Sequence, residues 1–462
     1  MKKTFKLFAL AALGLFVSFA MSAQVTTSSM SGKIVDEQGS VVGAAIIATH
    51  TPSGTQYYAV SNSEGRYAIQ GMRPGGPYDV KIQMMGCETV VYQGVTLNLG
   101  EVYVQNATLK AAATALDEVV VVASASKFAT EKTGASTSIN SQQMQKMPTV
   151  NRSISDLARV SPYANGMSFA GGDGRSTNFT VDGSNFNNNF GLSDKLPGGG
   201  SPISVDALEE IQVVIAPYDV RQTNFIGGGI NAITKSGTNT FKGSVYGYYR
   251  NQAFRGNTVA GVDCGDRKAE SHRVLGATIG GPIIKDKLFF FANFEHESNP
   301  GQVIKYRANK GGEAYNNTGV SRCTADDLEA VQTYMKNKYG YDTGSFTDFP
   351  GDESNMKILA RLDWNVNRDH RISLRYNYTK NTAWNGPNGN SSDTGYRLNG
   401  TYRVGDESMA FANNMYSQDN KVQTLSLDYN SRLSDNLSEQ LLVTYTKIDG
   451  FQYIKVKLNH TA

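Results

Sequence analysis

The chain has 462 residues, which at roughly 150 residues per domain corresponds to about three domains. Its 44 basic and 41 acidic residues give a net charge of +3, a balance that argues against nucleic acid as a partner. The composition (40% hydrophobic, 47 Gly, 24 Tyr and 2 Trp) excludes a disordered chain and a helical membrane protein and indicates a mainly β fold. Three cysteines, Cys87, Cys264 and Cys323, are too few for a disulfide framework.

Residues 1–23 have the features of a secretory signal peptide. Three lysines within the first six residues precede an apolar run from Leu7 to Ala20, and small residues follow at Ser22 and Ala23. The run is shorter than the ~20 residues of a membrane-spanning helix, although a membrane anchor is the alternative interpretation. We expect cleavage near Ala23 and export of the chain. No later segment is apolar enough for a spanning helix, so membrane residence would require a β-barrel.

Residues 24–110 contain short apolar strands separated by turn residues. Turns at 36–39, 63–65 and 74–77 each precede a β-prone stretch, which predicts a β-sandwich of about seven strands. With Gly43 after the first turn and Gly65-Arg66-Tyr67 after the second, the segment resembles the carboxypeptidase regulatory-like domain. That resemblance implies a non-catalytic module, in which we expect Cys87 to be a buried small hydrophobe.

The sequence lacks the common catalytic motifs considered next. The five histidines are dispersed at 50, 272, 296, 370 and 460, without the spacing of a zinc site. Neither a Gly-x-Ser-x-Gly elbow nor a phosphate-binding loop occurs. We therefore expect no enzymatic activity and no cofactor.

A linker and a valine-rich segment follow the predicted sandwich, over 111–122. The linker is mostly alanine (111–115). One interpretation of the segment after it is the first strand of the next domain. The other is a peptide that adds to the edge of a partner's sheet, because β-branched residues favour an extended backbone whose main chain can pair. The residues concerned are Leu116, Asp117, Glu118, Val119, Val120, Val121 and Val122.

Residues 123–240 predict a mixed α/β domain. Short capped helices are expected near Ser141 and Ser153, and a strand over 179–181 ends in a tight turn. Ser204 is expected to cap a helix through 206–210, which leads into a strand over 211–215, and the run 227–235 closes the domain.

Two loops of this domain, 171–177 and 185–191, combine amide, aromatic and basic side chains that could hydrogen-bond to or stack on a ligand. A cluster of turn residues without a ligand is the alternative. The candidate ligand-contacting residues are Arg175, Asn185, Phe186, Asn187, Asn188, Asn189 and Phe190.

The last segment, 241–462, contains 16 of the tyrosines and strictly alternating strands. In 356–366, apolar side chains at the even positions share one face, and Lys357, Arg361, Asp363 and Asn365 lie on the other. Long and short connections alternate, as in an outer-membrane barrel. The seven predicted strands are 241–250, 272–281, 287–297, 356–366, 370–380, 421–431 and 437–449.

Five motifs resemble TonB-dependent outer-membrane receptors, most closely the Oar-like group of Bacteroidota. They are 116–122, 202–213, 216–221, 227–235 and 280–291. The resemblance implies that 116–122 is the TonB box, 123–240 a plug domain, and 241–462 the first strands of an incomplete transmembrane barrel of about 22 strands. It also implies a location in the outer membrane of a Gram-negative bacterium, with the sandwich and the TonB box in the periplasm.

The same resemblance implies import of an extracellular substrate, energised by the inner-membrane proton-motive force through TonB. The implied partners are TonB, outer-membrane lipids and an unidentified substrate. Two alternatives remain open: a SusC-like glycan importer with a surface lipoprotein partner, and a non-transporting adhesion or structural protein. Since a barrel of about eight strands has no room for a plug, we expect 1–462 to be an N-terminal fragment of a larger receptor or a truncated gene product. A disulfide between Cys264 and Cys323, both in predicted outer loops, is also left open.

Overall fold

The computed structural model describes most of the chain. The described residues are 25–111, 118–122, 130–131, 134–149, 152–187, 201–217, 222, 226–256, 258–259, 262–263, 270–300, 306–315, 320–347, 349, 351–385, 408–434 and 437–454. The predicted signal peptide and Cys264 lie outside them. Of the helices in this described part, none is long and apolar enough to cross a membrane.

The N-terminal part is a β-sandwich, as the sequence predicts. One sheet contains β1, β2, β5, β8 and β9, and the other has the order β7-β6-β3-β4. The strands are β1 Ser28–Asp36, β2 Gly39–Ser40, β3 Ala45–His50, β4 Thr55–Val60, β5 Arg66–Met72, β6 Gly75–Gln83, β7 Thr89–Leu97, β8 Val102–Val104 and β9 Ala107–Thr108.

The core of the sandwich is apolar and belongs to this domain alone. Alternate side chains of both sheets point between them, among them Met30, Ile34, Ile46, Tyr78 and Ile82, which are fully buried. Period-two alternation in short strands places one face of each strand in such a core. Cys87 packs against it while remaining only partly buried, so its predicted burial is met in part.

Two further strands join the sandwich after its last core strand. They are β10 Glu118–Val122 and β11 Thr130–Glu131. Strand β10 pairs in parallel with β7, and β11 pairs antiparallel with β8. The valine-rich segment therefore extends a sheet of the preceding domain, and its interpretation as the first strand of the following domain is wrong.

The plug domain is a five-stranded sheet with short helices, which confirms the mixed α/β prediction. Its sheet has the order β12-β17-β18-β15-β16, and a two-stranded β13-β14 hairpin lies beside it. The elements are β12 Gly134–Asn140, α1 Ser141–Lys146, α2 Ile154–Ala158, β13 Ala164–Asn165, β14 Ser168–Phe169, β15 Asn178–Val181, β16 Ser184–Asn185, β17 Leu208–Pro217 and β18 Gly229–Thr234.

Local capping explains the two short helices. Asn140 forms a capping box with Gln143 at α1, and Ser153 accepts from the Asp156 amide at α2. The predicted helix through 206–210 is wrong. Ser204 caps only a single 3-10 turn, Val205–Ala207, after which β17 begins at Leu208 because this segment pairs on both sides with β12 and β18.

The third part is a curved wall of seven antiparallel strands in sequential order, β19-β22-β23-β26-β27-β28-β29. All seven predicted wall strands are present, with ends that differ by a few residues. The wall strands are β19 Lys242–Asn251, β22 Ser271–Ile284, β23 Leu288–Pro300, β26 Asp352–Asn365, β27 His370–Asn385, β28 Tyr416–Ser434 and β29 Leu437–Ile454. Two short pairs lie in the connections between them: β20 Thr258–Val259 with β21 Val262–Asp263, and β24 Arg307–Asn309 with β25 Val320–Thr324.

The polarity of the wall is the reverse of that in a soluble sheet. In β26, Ile358, Leu362 and Trp364 are 36%, 41% and 47% exposed, whereas Lys357 and Arg361 are 4% and 7% exposed. Strands β27 and β28 repeat the pattern, with exposed leucines alternating with buried polar residues. A contiguous apolar outer face of this size is unfavourable in water and favourable against hydrocarbon. The alternation predicted from the sequence is confirmed, with its polar face inward.

Long and short connections alternate along the wall. The short connections, such as 285–287 and 366–369, lie at the end on which the sandwich sits. The long connection between β23 and β26 contains helix α3, Ala325–Tyr339, which Thr324 caps at its start and Gly340, with φ of 61°, ends. Cys323 lies next to this helix and packs against a small apolar cluster that includes Leu328 and Phe346.

The reversed polarity yields a matched pair of predictions. Ile358 and Val366 are almost equally exposed, at 36% and 37%, but Ile358 lies in the middle of β26 and Val366 lies in the turn after it. Ile358→Arg should lower the free energy of unfolding in lipid vesicles by about 2–4 kcal/mol, and Val366→Arg by about 0–1 kcal/mol. Equal effects in urea titrations would contradict a hydrocarbon-facing wall.

Candidate functional site

The plug contacts the wall through the loop that precedes β17. Lys357 of β26 donates to the hydroxyl of Ser201 at 3.2 Å, and Thr379 of β27 donates to the carbonyl of Pro202 at 2.6 Å. Asn355 donates to the Ser201 carbonyl at 3.3 Å. This loop, 201–206, overlaps the 202–213 motif, and wall side chains bind its backbone carbonyls and the Ser201 hydroxyl.

Glu295 of β23 is the centre of the first group of contacts. Its carboxylate pairs with Lys357 Nζ at 2.8 Å and accepts hydrogen bonds from Ser204 Oγ at 2.7 Å and from Tyr246 OH at 2.9 Å. Glu295 and Lys357 are about 95% buried. A buried ion pair is favourable only when its remaining hydrogen-bonding capacity is used, and the plug supplies part of that through Ser204.

Arg152 and Asp206 attach the plug to the same part of the wall. They form an ion pair with each other, and the guanidinium of Arg152 lies 4.2 Å from the ring centroid of Tyr248 on β19. Planar guanidinium groups stack well on aromatic rings. The 201–206 loop is therefore held by wall residues on four strands.

The second group is centred on Asp182, in the turn between β15 and β16. Its carboxylate accepts from the Thr234 amide at 3.0 Å and from the Thr234 hydroxyl at 2.7 Å. Two wall arginines approach it, Arg361 at 3.9 Å and Arg375 at 3.7 Å. Arg361 also donates to the Thr234 carbonyl at 2.6 Å. Asp182 is 1% exposed, so the plug places a buried negative charge against the cationic inner wall.

Charges within the second group balance. Arg361 makes a two-pronged contact with Asp363 at 2.8 and 2.9 Å, and Arg375 lies 3.5 Å from Asp428. Arg73, from the sandwich, lies 3.6 Å from Asp363. The three arginines Arg73, Arg361 and Arg375 thus face the three carboxylates Asp182, Asp363 and Asp428, one from the plug and two from the wall. Sandwich, plug and wall each contribute a charge to one buried cluster.

The sandwich contacts the plug at Leu99. Glu210 of β17 accepts from the Leu99 amide at 2.9 Å, and Gln212 of β17 donates to the Leu99 carbonyl at 2.7 Å. Leu99 also packs with Val25 and Ile233 in a small apolar cluster. Two plug side chains therefore pair with both backbone groups of one sandwich residue, as a neighbouring strand would.

Burial gives Glu210 an unusual protonation state. Desolvation raises the pKa of Glu210 to about 8, with further upward contributions from the nearby Glu101 and Glu209. The hydrogen bond from the Leu99 amide acts in the opposite direction and is weaker than the desolvation effect. At neutral pH the contact between the sandwich and the plug is therefore made mainly by a neutral carboxyl.

The sandwich also contacts the short-turn rim of the wall. The guanidinium of Arg371 lies 4.0 Å from the ring centroid of Tyr57 and donates to the Gln56 carbonyl at 2.8 Å. Arg368 lies over Tyr58 at 4.5 Å. The edge strand β4 is therefore covered by the β26–β27 turn and the start of β27.

A polar cavity of about 180 Å³ lies where the three parts meet, lined by His50, Arg73, Glu209, Asp363 and Asn430 among others. Small-molecule sites usually measure ~300–1,000 Å³, so its size indicates a gap between domains rather than a substrate site. Among the described residues, no group of three or more His, Cys, Asp or Glu is placed to hold a metal ion.

The candidate ligand-contacting loops are only partly as the sequence predicts. Arg175 is exposed and pairs with Asp173, which lowers the pKa of Asp173 to about 2. Phe186 is wrongly predicted to face a ligand. It is fully buried, with its ring 6.3 Å from that of Phe179, because the β15–β16 hairpin folds it into the plug core.

The amides of the second loop are engaged within the plug. Asn187 accepts from the Phe179 amide at 2.7 Å and donates to Asn178 at 2.8 Å, while Asn185 accepts from the Asn187 amide at 2.7 Å. Their primary role in this arrangement is to shape the turn. Asn188, Asn189 and Phe190 lie outside the described residues, as do Leu116 and Asp117 of the predicted TonB box.

Sequence reasoning missed the residues that join the three parts. Asp182, Ser204, Glu210 and Gln212 all lie in motifs that the sequence singled out, but as residues of a turn, a cap, a helix and a strand rather than as contacts between domains. A usable signal was present in Glu210 and Gln212, which stand at alternate positions beside Ile211 and Val213. That alternation marks a strand with a polar face, and both faces of β17 are buried.

Comparisons with known proteins agree with this architecture. Residues 233–460 match the family described as "Outer membrane beta barrel domain", and residues 29–110 match the "Carboxypeptidase regulatory-like domain". The chain is similar to the TonB-dependent transporter Oar of Myxococcus xanthus, at 25% identity over 391 residues, which cover 80% of this chain and 35% of Oar. These matches indicate a location in the outer membrane of a Gram-negative bacterium.

Similar solved structures include the siderophore receptor PirA from Acinetobacter baumannii, with 18% identity and a TM-score of 0.43, covering 68% of this chain and 40% of PirA. The outer membrane transporter YddB from Escherichia coli has 15% identity and a TM-score of 0.44, covering 69% of this chain and 40% of YddB. The chain spans well under half the length of these relatives.

The balanced charge cluster gives a test of the contact between plug and wall. Asp182→Asn keeps the side-chain shape and tolerates the positive φ of 48°, but leaves the cluster with one excess positive charge. It should lower the free energy of unfolding by about 3–5 kcal/mol, measured by chemical unfolding in detergent micelles. Asp173→Asn, which breaks an exposed ion pair, is the matched control and should have no measurable effect.

Glu210 predicts a pH dependence with a definite sign. Because its pKa is raised from 4.5 to about 8, its stabilising contribution is complete below about pH 4.5 and is lost as the pH rises towards 8. Between these values the free energy of unfolding should fall by up to roughly 1.4 kcal/mol per pH unit. Glu210→Gln should remove this dependence and Glu64→Gln, at an exposed site, should keep it. Parallel pH profiles for Glu210→Gln and the parent would contradict the assignment.

Proposed function

We propose that this protein is a TonB-dependent outer-membrane receptor that imports a substrate with energy from the inner-membrane proton-motive force. The single observation that carries the proposal is a plug domain seated on the polar inner face of a wall whose outer face is apolar. Such a plug blocks the interior of the wall, so passage requires a device that moves it. The similarity to the transporter Oar supports a receptor rather than an enzyme.

The proposed domain organisation follows from these contacts. Residues 24–110 form the sandwich, 111–122 the linker and TonB box, 123–240 the plug, and 241–462 the barrel wall. The sandwich and box lie at the short-turn end of the wall, which we assign to the periplasm because short turns face that side in outer-membrane barrels. The long connections, including α3, then face the cell exterior.

The described contacts also suggest why the plug can move. Hydrogen bonds and ion pairs around Glu295 and Asp182 orient the plug on the wall beside a shared apolar cluster, and water can replace such polar partners one at a time. Substrate bound at the plug near the exposed Arg175 would bias release of residues 116–122. TonB would then pair with the released segment and pull on the plug.

Membership of the Oar-like group of Bacteroidota is part of the proposal. The identity of the substrate is open among glycans, peptides and small chelates. A SusC-like glycan importer would differ in requiring a surface lipoprotein partner. A copurifying lipoprotein from native membranes would favour that alternative over the Oar-like one.

Proline substitutions in the box test strand pairing with TonB. Successive amides of a strand point in opposite directions, so either Val119→Pro or Val120→Pro must remove a donor that faces the partner. At least one of the two should weaken binding of the purified periplasmic domain of the host's TonB tenfold or more, measured by surface capture of the detergent-solubilised protein. Val119→Thr and Val120→Thr keep the amide and the β-branched shape, and are the matched controls.

Two outcomes would contradict the proposal. The first is binding of TonB that neither proline variant weakens. The second is binding that survives replacement of 116–122 by a glycine-serine segment of equal length, because TonB would then recognise another part of the chain. Full loss of binding in that replacement, with normal insertion into the outer membrane, is the expected result.

A further inference from the structure

We propose that the β7 edge of the sandwich is a holding site for the TonB-box strand and competes with TonB for it. The inference rests on the proposed function, because it concerns the same segment. The occupant is the chain's own residues 118–122, and the site is the outer edge of Thr89–Gln93. Release from this edge is then a separate step that precedes energy coupling.

The pairing geometry carries the inference. Strand β10 lies parallel to β7 in continuous register, with Glu118 opposite Thr89 and Val122 opposite Gln93. Parallel neighbours require a crossover connection, and here the chain crosses through β8 and β9 of the opposite sheet. The segment is thus bound along the edge of β7 that lies opposite the edge paired with β6.

The composition of β7 fits such a role. Its first five residues, Thr-Val-Val-Tyr-Gln, are uncharged and rich in β-branched and aromatic side chains. An uncharged edge of this kind readily accepts another strand, and natural edges that must stay free usually carry charges or proline. The opposite edge of the same sheet, β4, is covered by Arg368 and Arg371 of the wall.

A second contact holds the connection farther along the chain. Thr130 and Glu131 of β11 pair with Tyr103 and Val102 of β8, on the other sheet of the sandwich. Only 132–133 then separate β11 from the first plug strand, β12. The segment between the sandwich and the plug is therefore bound to the sandwich at two points, one on each sheet.

This arrangement has a mechanical consequence. The sandwich is fixed to the wall rim through Arg371 and to the plug through Leu99. A pull on 118–122 while β10 is paired with β7 loads the sandwich rather than the plug. The load reaches the plug along the chain only after β10 and then β11 have separated from the sandwich, so holding and coupling exclude each other.

A reversible crosslink tests the competition. In the full chain, Cys87, Cys264 and Cys323 are first replaced by alanine, since Cys87 is two residues from the new site. Thr89→Cys with Glu118→Cys then places two cysteines at paired positions, where neighbouring strands are about 5 Å apart. Gln93→Cys with Glu118→Cys is the matched control, because Gln93 is four positions out of register and too distant for a disulfide.

The readout compares oxidised and reduced samples of the same variant. We expect the in-register pair to form an intramolecular disulfide, seen by peptide mass mapping. Its capture by the periplasmic domain of the host's TonB should fall at least tenfold on oxidation and recover on reduction. The control pair should show the same capture in both states.

The outcomes separate this inference from the proposed function. Failure of the in-register pair to crosslink, or undiminished capture after crosslinking, would overturn the holding site. Undiminished capture would mean that TonB pairs with the free edge of β10 while the strand stays on β7. Failure of the function itself would appear instead as TonB capture that survives replacement of 116–122.

Discussion

The rest of the structure depends on the reversed polarity of the wall. Its seven strands present apolar side chains outward and charged ones inward, among them Lys357, Arg361 and Arg375. Buried charges without partners cost several kcal/mol each, about 3–5 kcal/mol when a partner is removed. Wall carboxylates neutralise part of this charge. The plug adds the carboxylate of Asp182 beside Arg361 and a hydrogen bond from Ser204 to Glu295. The plug is therefore part of what makes the inner face of the wall stable.

The three parts differ in how they are held together. The sandwich has an apolar core of its own, whereas the apolar cluster of the plug includes the wall residues Phe291, Leu359 and Val422. Polar contacts around Glu295 and Asp182 then orient the plug on the wall. Apolar contacts have little directional preference, whereas hydrogen-bonded ion pairs depend strongly on direction. The polar contacts therefore fix the position of the plug on the wall.

The sequence was sufficient to predict the elements with strict periodicity. It was insufficient to predict which elements contact one another. The wall strands could be predicted because alternation extends over ten or more residues in each, as in β26. The prediction of a helix through 206–210 failed because β17 begins at Leu208 and pairs on both sides with β12 and β18, and these partners are distant in sequence. The prediction that Phe186 contacts a ligand failed because composition does not distinguish a buried ring from an exposed one. Helix α3 was not predicted, although Thr324 at its start and Gly340 at its end are clear helix signals within the long connection.

The order of the parts along the chain gives these contacts their functional meaning. The extended segment lies between the sandwich and the plug in sequence, and both of its paired strands, β10 and β11, lie on the sandwich. A free linker would transmit a pull to the plug at once, so a bound linker sets a threshold. The sandwich can set this threshold because contacts such as those of Arg371 and Leu99 fix it to the wall and the plug. Its position at the short-turn rim thus makes an apparently accessory domain the element that decides when the plug is loaded.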